Sequence, residues 1–144
     1  MTASEARSKL LRQHEVLRAH LQACTTLAAL FRSGVPAGLE LDEALARLRT
    51  DFEEHNQTEA AVIAQLLYGP SAWSSLLVDR MLEEHIAEHA AFRELLAGPR
   101  AGIATRIDEL ADELDAHMAA EERTFLSPVT LRDDVILARA RQGV

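Results

Sequence analysis

The sequence predicts an all-α protein, an up-down-up-down four-helix bundle closed by a short C-terminal tail helix. Three observations carry this prediction. Nearly half the residues are apolar, yet aromatics make up only 4%, and Ala and Leu dominate where β-branched residues would be needed for sheet. Gly and Pro gather in a few tight clusters, which act as turn and helix-stop signals. Between the clusters, apolar residues recur at alternating spacings of three and four, the seam of a helix packed in a bundle.

The breaks fall at Ser33-Gly34-Val35-Pro36-Ala37-Gly38, at Gly69-Pro70-Ser71, at Gly98-Pro99-Arg100-Ala101-Gly102 and at Ser127-Pro128. The first seam reads Leu10, His14, Leu17, Leu21, Cys24, Ala28, Phe31, and the second Leu45, Leu48, Phe52, His55, Glu59, Val62, Leu66. The third reads Val78, Leu82, His85, His89, Phe92, Leu96, and the fourth Ile103, Ile107, Leu110, Leu114, His117, Glu121, Phe125. After Pro128, Thr130 is placed to cap a final helix, with Asp133 at the reciprocal capping position. Short loops force neighbouring helices to run antiparallel. The expected organisation is therefore one domain over 1–144, with the bundle at about 4–127 and the tail helix at about 130–142.

Charge and cysteine usage narrow the function classes. The net charge is −8 and no basic stripe is present, so nucleic acid is not an expected partner. The same balance gives no attraction to anionic membrane surfaces, and no stretch approaches the roughly 20 apolar residues of a membrane span. The single cysteine, Cys24, excludes an intrachain disulfide and reads as a small core residue. The polar start Met-Thr-Ala-Ser-Glu-Ala-Arg does not read as a signal peptide, so the expected compartment is the cytoplasm.

The informative residues are those that interrupt the seams. Five of the six histidines (His14, His55, His85, His89, His117) sit at seam positions, as do Glu59 and Glu121. A single seam histidine is usually a hydrogen-bonded core residue. Seven ionisable groups buried together would cost several kcal/mol each without a common partner. Counted from the loops at about 1.5 Å per residue, all seven fall in a layer one or two turns thick. His55–Glu59, His85–His89 and His117–Glu121 are i, i+4 pairs on one helical face. Glu122 lies about 140° around the helix from His117 and Glu121 about 40°, so Glu121 is the preferred fourth-segment carboxylate. His20 falls beside its seam and reads as an edge residue. Glu53, Glu54, Glu83, Glu84 and Glu88 read as a solvated face.

Seven ligands are too many for one tetrahedral zinc. Five imidazoles with two carboxylates able to bridge suit two octahedral irons about 3 to 4 Å apart. Bridging carboxylates bring the set to nine bonds, and a bridging oxide or hydroxide adds two, leaving one position open.

With these residues in view, the sequence resembles the hemerythrin family, including the bacterial domains described by their His-His-Glu cation-binding pattern. The resemblance covers residues 8 to 128 and rests on Gln-His14-Glu-Val-Leu-Arg, His55-Asn-Gln-Thr-Glu59, His85-Ile-Ala-Glu-His89 and His117-Met-Ala-Ala-Glu121-Glu-Arg-Thr-Phe-Leu-Ser-Pro. It implies that His85, His89 and His117 bind one iron, His14 and His55 the other, with Glu59 and Glu121 bridging. It also implies that dioxygen binds at the iron held by two histidines. Oxygen-carrying hemerythrins place an Asp one residue further along the fourth helix, whereas this chain has Glu at i+4. That pattern resembles the broader bacterial group, whose members are not all oxygen carriers.

The function expected is dioxygen binding, storage or sensing at a non-haem di-iron centre. Phe52, Phe92, Leu17 and Leu114, about one turn from the ligands, would keep that centre dry. The competing expectation is a di-iron enzyme acting on peroxide or nitric oxide, with Tyr68 or Glu122 as a recruited acid. A third is an iron-handling or regulatory module, with the segment Thr130 to Val144 as a docking element or simply a cap on the bundle end.

Overall fold

The computed structural model describes residues 2–68, 75–124 and 126–127. Four helices account for almost all of them: α1 (Ala3–Arg32), α2 (Gly38–Tyr68), α3 (Ser75–Leu96) and α4 (Arg100–Arg123). Among the described residues there is no strand. No helix there is long and apolar enough to cross a membrane. The side chains of Leu66, Tyr68, Val78 and Leu82, residue Phe125, the Gly69-Pro70-Ser71 break and the expected tail helix lie outside the described residues.

The ends of α1 follow from local chemistry. Thr2 and Glu5 form a capping box, the Glu5 amide donating to Thr2 Oγ1 at 3.1 Å and the Thr2 amide to Glu5 Oε2 at 2.7 Å. At the other end Gly34, at φ +91, lets its own amide reach Phe31 O and that of Val35 reach Leu30 O. This is a Schellman close, and it requires a residue without a Cβ penalty in the left-handed region. Gly38 opens α2 for a different reason: a Cβ there would meet the Arg100 guanidinium at 2.7 Å. Arg100 itself grips Asp42, its Nε donating to Oδ1 at 2.8 Å.

α1 packs against α2 and α4, α2 against α3, and α3 against α4. The side-chain pairings give the register. Gln13 meets Thr58 and His20 meets Asp51 across α1 and α2. Arg18 meets Asp115 and Arg32 meets Asp108 across α1 and α4. Arg93 meets Glu53 across α2 and α3, and Arg49 Nε donates to the Leu96 carbonyl at the end of α3.

The expected seams are the buried faces. On α1 every seam residue from Leu10 to Ala28 is buried, Cys24 included, and only Phe31 is half-buried. On α4 the stripe departs from expectation after Leu114. Met118 is the fully buried residue, while His117 turns toward α3 and keeps a 14% exposed side chain. Two successive steps of four, from Leu110 through Leu114 to Met118, correct the drift that strict alternation accumulates along a straight α-helix. Leu48 is fully buried in the lower core, so Leu48→Ala is expected to cost about 2–5 kcal/mol, read as a fall in urea midpoint at unchanged slope.

Candidate metal centre

Above that apolar core the seam residues change character, and the structure brings all seven expected side chains together. His14, His55, Glu59, His85, His89 and Glu121 are buried, and His117 is nearly so. Three overlapping groups place ligand-type atoms within 4.8 Å of one another: His85, His89 and His117; His14, His55, Glu59 and Glu121; and Glu59, His85, His117 and Glu121. One group is rich in imidazole, another holds two imidazoles and two carboxylates, and the third joins them.

Glu59 lies at the middle, its Oε2 at 2.9 Å from both His55 Nε2 and His85 Nε2. Glu121 Oε1 is 3.4 Å from His14 Nε2 and from His117 Nε2, and its Oε2 is 3.3 Å from His85 Nδ1. The His85 and His89 rings approach to 3.7 Å between centroids, and Phe52 meets the His89 ring at 5.2 Å. Despite this crowding, the Nε2 atoms of all five histidines and all four oxygens of the two glutamates are buried without a hydrogen bond of proper geometry. They are nine of the twelve such atoms among the described residues, the others belonging to His20 and the Asn56 amide. Buried polar groups are almost always satisfied, so nine unsatisfied donor atoms in one place fit a cation set. The donor chemistry, imidazole nitrogen with carboxylate oxygen, fits a first-row transition metal better than Mg or Ca.

Three groups of the cluster are shifted by their surroundings. Burial acts to raise the Glu59 carboxyl, but the facing His55 and His85 imidazoles outweigh it and hold the pKa at about 2. Burial, helped by His85, pushes His89 down to about 3. Burial also lowers His117, against the opposing pull of Glu88.

The outward nitrogens of three histidines are anchored. His14 Nδ1 donates to Glu122 Oε2 at 2.8 Å, and Arg18 holds the same carboxylate at 3.0 and 3.1 Å while reaching Asp115 at 2.7 Å. His117 Nδ1 meets the Glu88 carboxylate. His55 Nδ1 faces Gln13 Oε1 at 2.9 Å. Gln13 Nε2 donates to Thr58 Oγ1 at 3.1 Å, and Thr58 donates on to the Glu54 carbonyl at 3.0 Å. That chain turns the amide oxygen of Gln13 toward His55. In all three cases the acceptor outside suits a proton on Nδ1, the tautomer that would leave the Nε2 lone pair free for a cation.

The structure therefore separates the two fourth-helix glutamates. Glu121 is buried within the cluster, and Glu122 stands outside it as the partner of His14. Glu88 departs from the expected solvated face: its side chain is about half exposed but its carboxylate reaches His117. Gln13, Arg18 and Glu88 were missed as site residues because their roles depend on contacts between helices. His20, paired with Asp51 at 2.8 Å, stands outside the cluster as expected.

Phe52, Phe92, Leu17 and Leu114 are all buried beside this layer. A groove of about 620 Å³ between α3 and α4, lined by Phe92, Leu114 and the alanines Ala91, Ala116 and Ala120, reaches His117.

No curated protein and no solved structure matches the chain. Residues 5–127 match the family described as the hemerythrin HHE cation binding domain. With four helices, no strand among the described residues and a His/Glu cluster of ligand type, the chain belongs to the hemerythrin HHE cation-binding domain family.

Proposed function

We propose that the protein is a dioxygen-binding di-iron protein whose centre is held by His14, His55, Glu59, His85, His89, His117 and Glu121. The single observation that carries this reading is the set of nine buried ligand-type atoms, drawn from four helices, that lack a hydrogen bond of proper geometry. They suit two cations better than one, because a three-histidine group and a two-histidine, two-carboxylate group share neighbours through Glu59 and Glu121. The frame for this is an up-down-up-down bundle, supported by pairings in which residue numbers rise on one helix as they fall on its neighbour.

Bound iron would supply the redox chemistry of dioxygen binding. The chain's own residues hold and shield it. Five neutral imidazoles with only two carboxylates place less negative charge on the centre than a carboxylate-rich set, which favours binding over deeper oxidation. Phe52 against His89, with Phe92, Leu17 and Leu114, excludes water from the inner face. The groove beside His117 offers a diatomic ligand an approach to that imidazole.

The test is anaerobic loading with ferrous iron, metal counting, and absorption spectra through cycles of oxygen and argon. The expected result is about two irons per chain and a visible band that appears in oxygen and leaves in argon. Two irons with an irreversible spectral change would move the assignment to a di-iron enzyme acting on peroxide, dioxygen or nitric oxide. A chain that takes up no iron would overturn the reading.

A further inference from the structure

Two carboxylates outside the cluster differ from the third outer partner in one respect: they carry charge. Glu88 on α3 meets His117 on α4, and Glu122 meets His14 on α1. Gln13, which meets His55, is neutral. His117 belongs to the three-histidine group and His14 to the two-histidine group, so each group has one imidazole backed by an anion.

We infer that Glu88 and Glu122 are positioning residues that fix His117 and His14 with Nε2 inward and, through their charge, lower the reduction potential of the centre; this rests on the metal reading above. A carboxylate accepting from Nδ1–H pulls that proton outward and makes Nε2 a stronger donor. A stronger donor favours the more oxidised metal. A neutral amide fixes the ring without this effect, which is the role left to Gln13.

The two anions are held differently. Glu88 is about half exposed and touches His117 directly, and among the described residues no Lys or Arg pairs with it. Glu122 is clamped by Arg18, which Asp115 holds in turn. The guanidinium shares the charge of Glu122, so His14 receives a weaker push than His117. The two metals are thereby made unequal from outside the ligand set.

The experiment compares wild type with Glu88→Gln, Glu122→Gln, Glu122→Ala and Arg18→Met, each loaded with ferrous iron alone under argon. The readouts are irons per chain, competition with a chelator, the midpoint potential by redox titration, and thermal melting of the chelated protein. Glu→Gln keeps an acceptor for Nδ1–H and removes the charge. Both Gln variants are expected to keep two irons and wild-type melting while the midpoint potential rises. Glu122→Ala is expected to weaken iron binding roughly 10–100-fold. Arg18→Met, which strips the cation from Glu122, is expected to shift the potential the opposite way, downward. Gln variants that match wild type in potential would overturn the inference, leaving Glu88 and Glu122 as plain structural partners. A wild type that binds no iron would overturn the metal reading itself, a result distinct from the first.

Discussion

Glu59→Leu is expected to abolish iron uptake and to lower the stability of the metal-free fold. Glu59 is fully buried, and its Oε2 stands within 2.9 Å of two imidazoles from two helices. It is common to two of the three candidate groups, so its loss removes a side chain that joins them. In the chelated protein the same carboxylate is a buried charge set among imidazoles. Removing one member of such a buried cluster while leaving its partners in place commonly costs about 3–5 kcal/mol. In wild type, a site filled at a thousandfold excess over its Kd adds about 4 kcal/mol, which for a chain of this size raises the melting temperature by roughly 8–16 °C. Melting curves with ferrous iron and with chelator are thus expected to separate widely for wild type and to coincide for Glu59→Leu. A variant that still takes up two irons would remove Glu59 from the ligand set.

The chelated protein is expected to lose stability steadily as pH falls below about 6.5. The sign follows from two groups. His89 is held down to about 3 by burial, so between about 3 and its unfolded value near 6.5 the unfolded chain carries a proton that the folded chain does not. Glu59 is held at about 2, so below its unfolded value near 4.3 the unfolded chain again binds more protons. In both windows the unfolded state is the one favoured by acid, and stability rises with pH. The summed effect is on the order of a few kcal/mol. His89→Leu is expected to flatten the upper part of the curve, between about pH 6.5 and 3, and to keep the Glu59 limb. Urea midpoints at pH 7.5 and pH 5 for the two chelated proteins check this. Equal pH slopes would show that His89 does not govern the window. In the loaded protein protons compete with metal for the same nitrogens, so iron release is expected on acidification.

The helices and the polar layer were legible because their signals are local. Turn residues such as Gly34 and Pro99 mark ends through their own backbone preferences, and a period of three and four marks a buried face whatever packs against it. Comparable distances from the loops placed His14, His55, His85, His89 and His117 in a layer one or two turns thick, because the rise per residue of a helix is constant. Cys24 as a core residue followed from the same reading, and it is fully buried with its thiol pushed up to about 11 by burial.

Local pattern therefore accounts for the four described helices, the face each one buries, and the residue types gathered on those faces. Packing fixed finer matters that turn on helix rotation. On α4 it put Met118 inward and turned His117 toward α3, and it set Glu121 inside the cluster with Glu122 outside. It also chose the outer partners, since Glu122 reaches His14 across 108 positions of sequence and Gln13 reaches His55 across 42. A period of three and four leaves each helix free to turn by some tens of degrees at no cost to its own pattern. Only packing against the neighbouring helices removes that freedom, and with it the choice between a residue inside the cluster and one that holds it from outside.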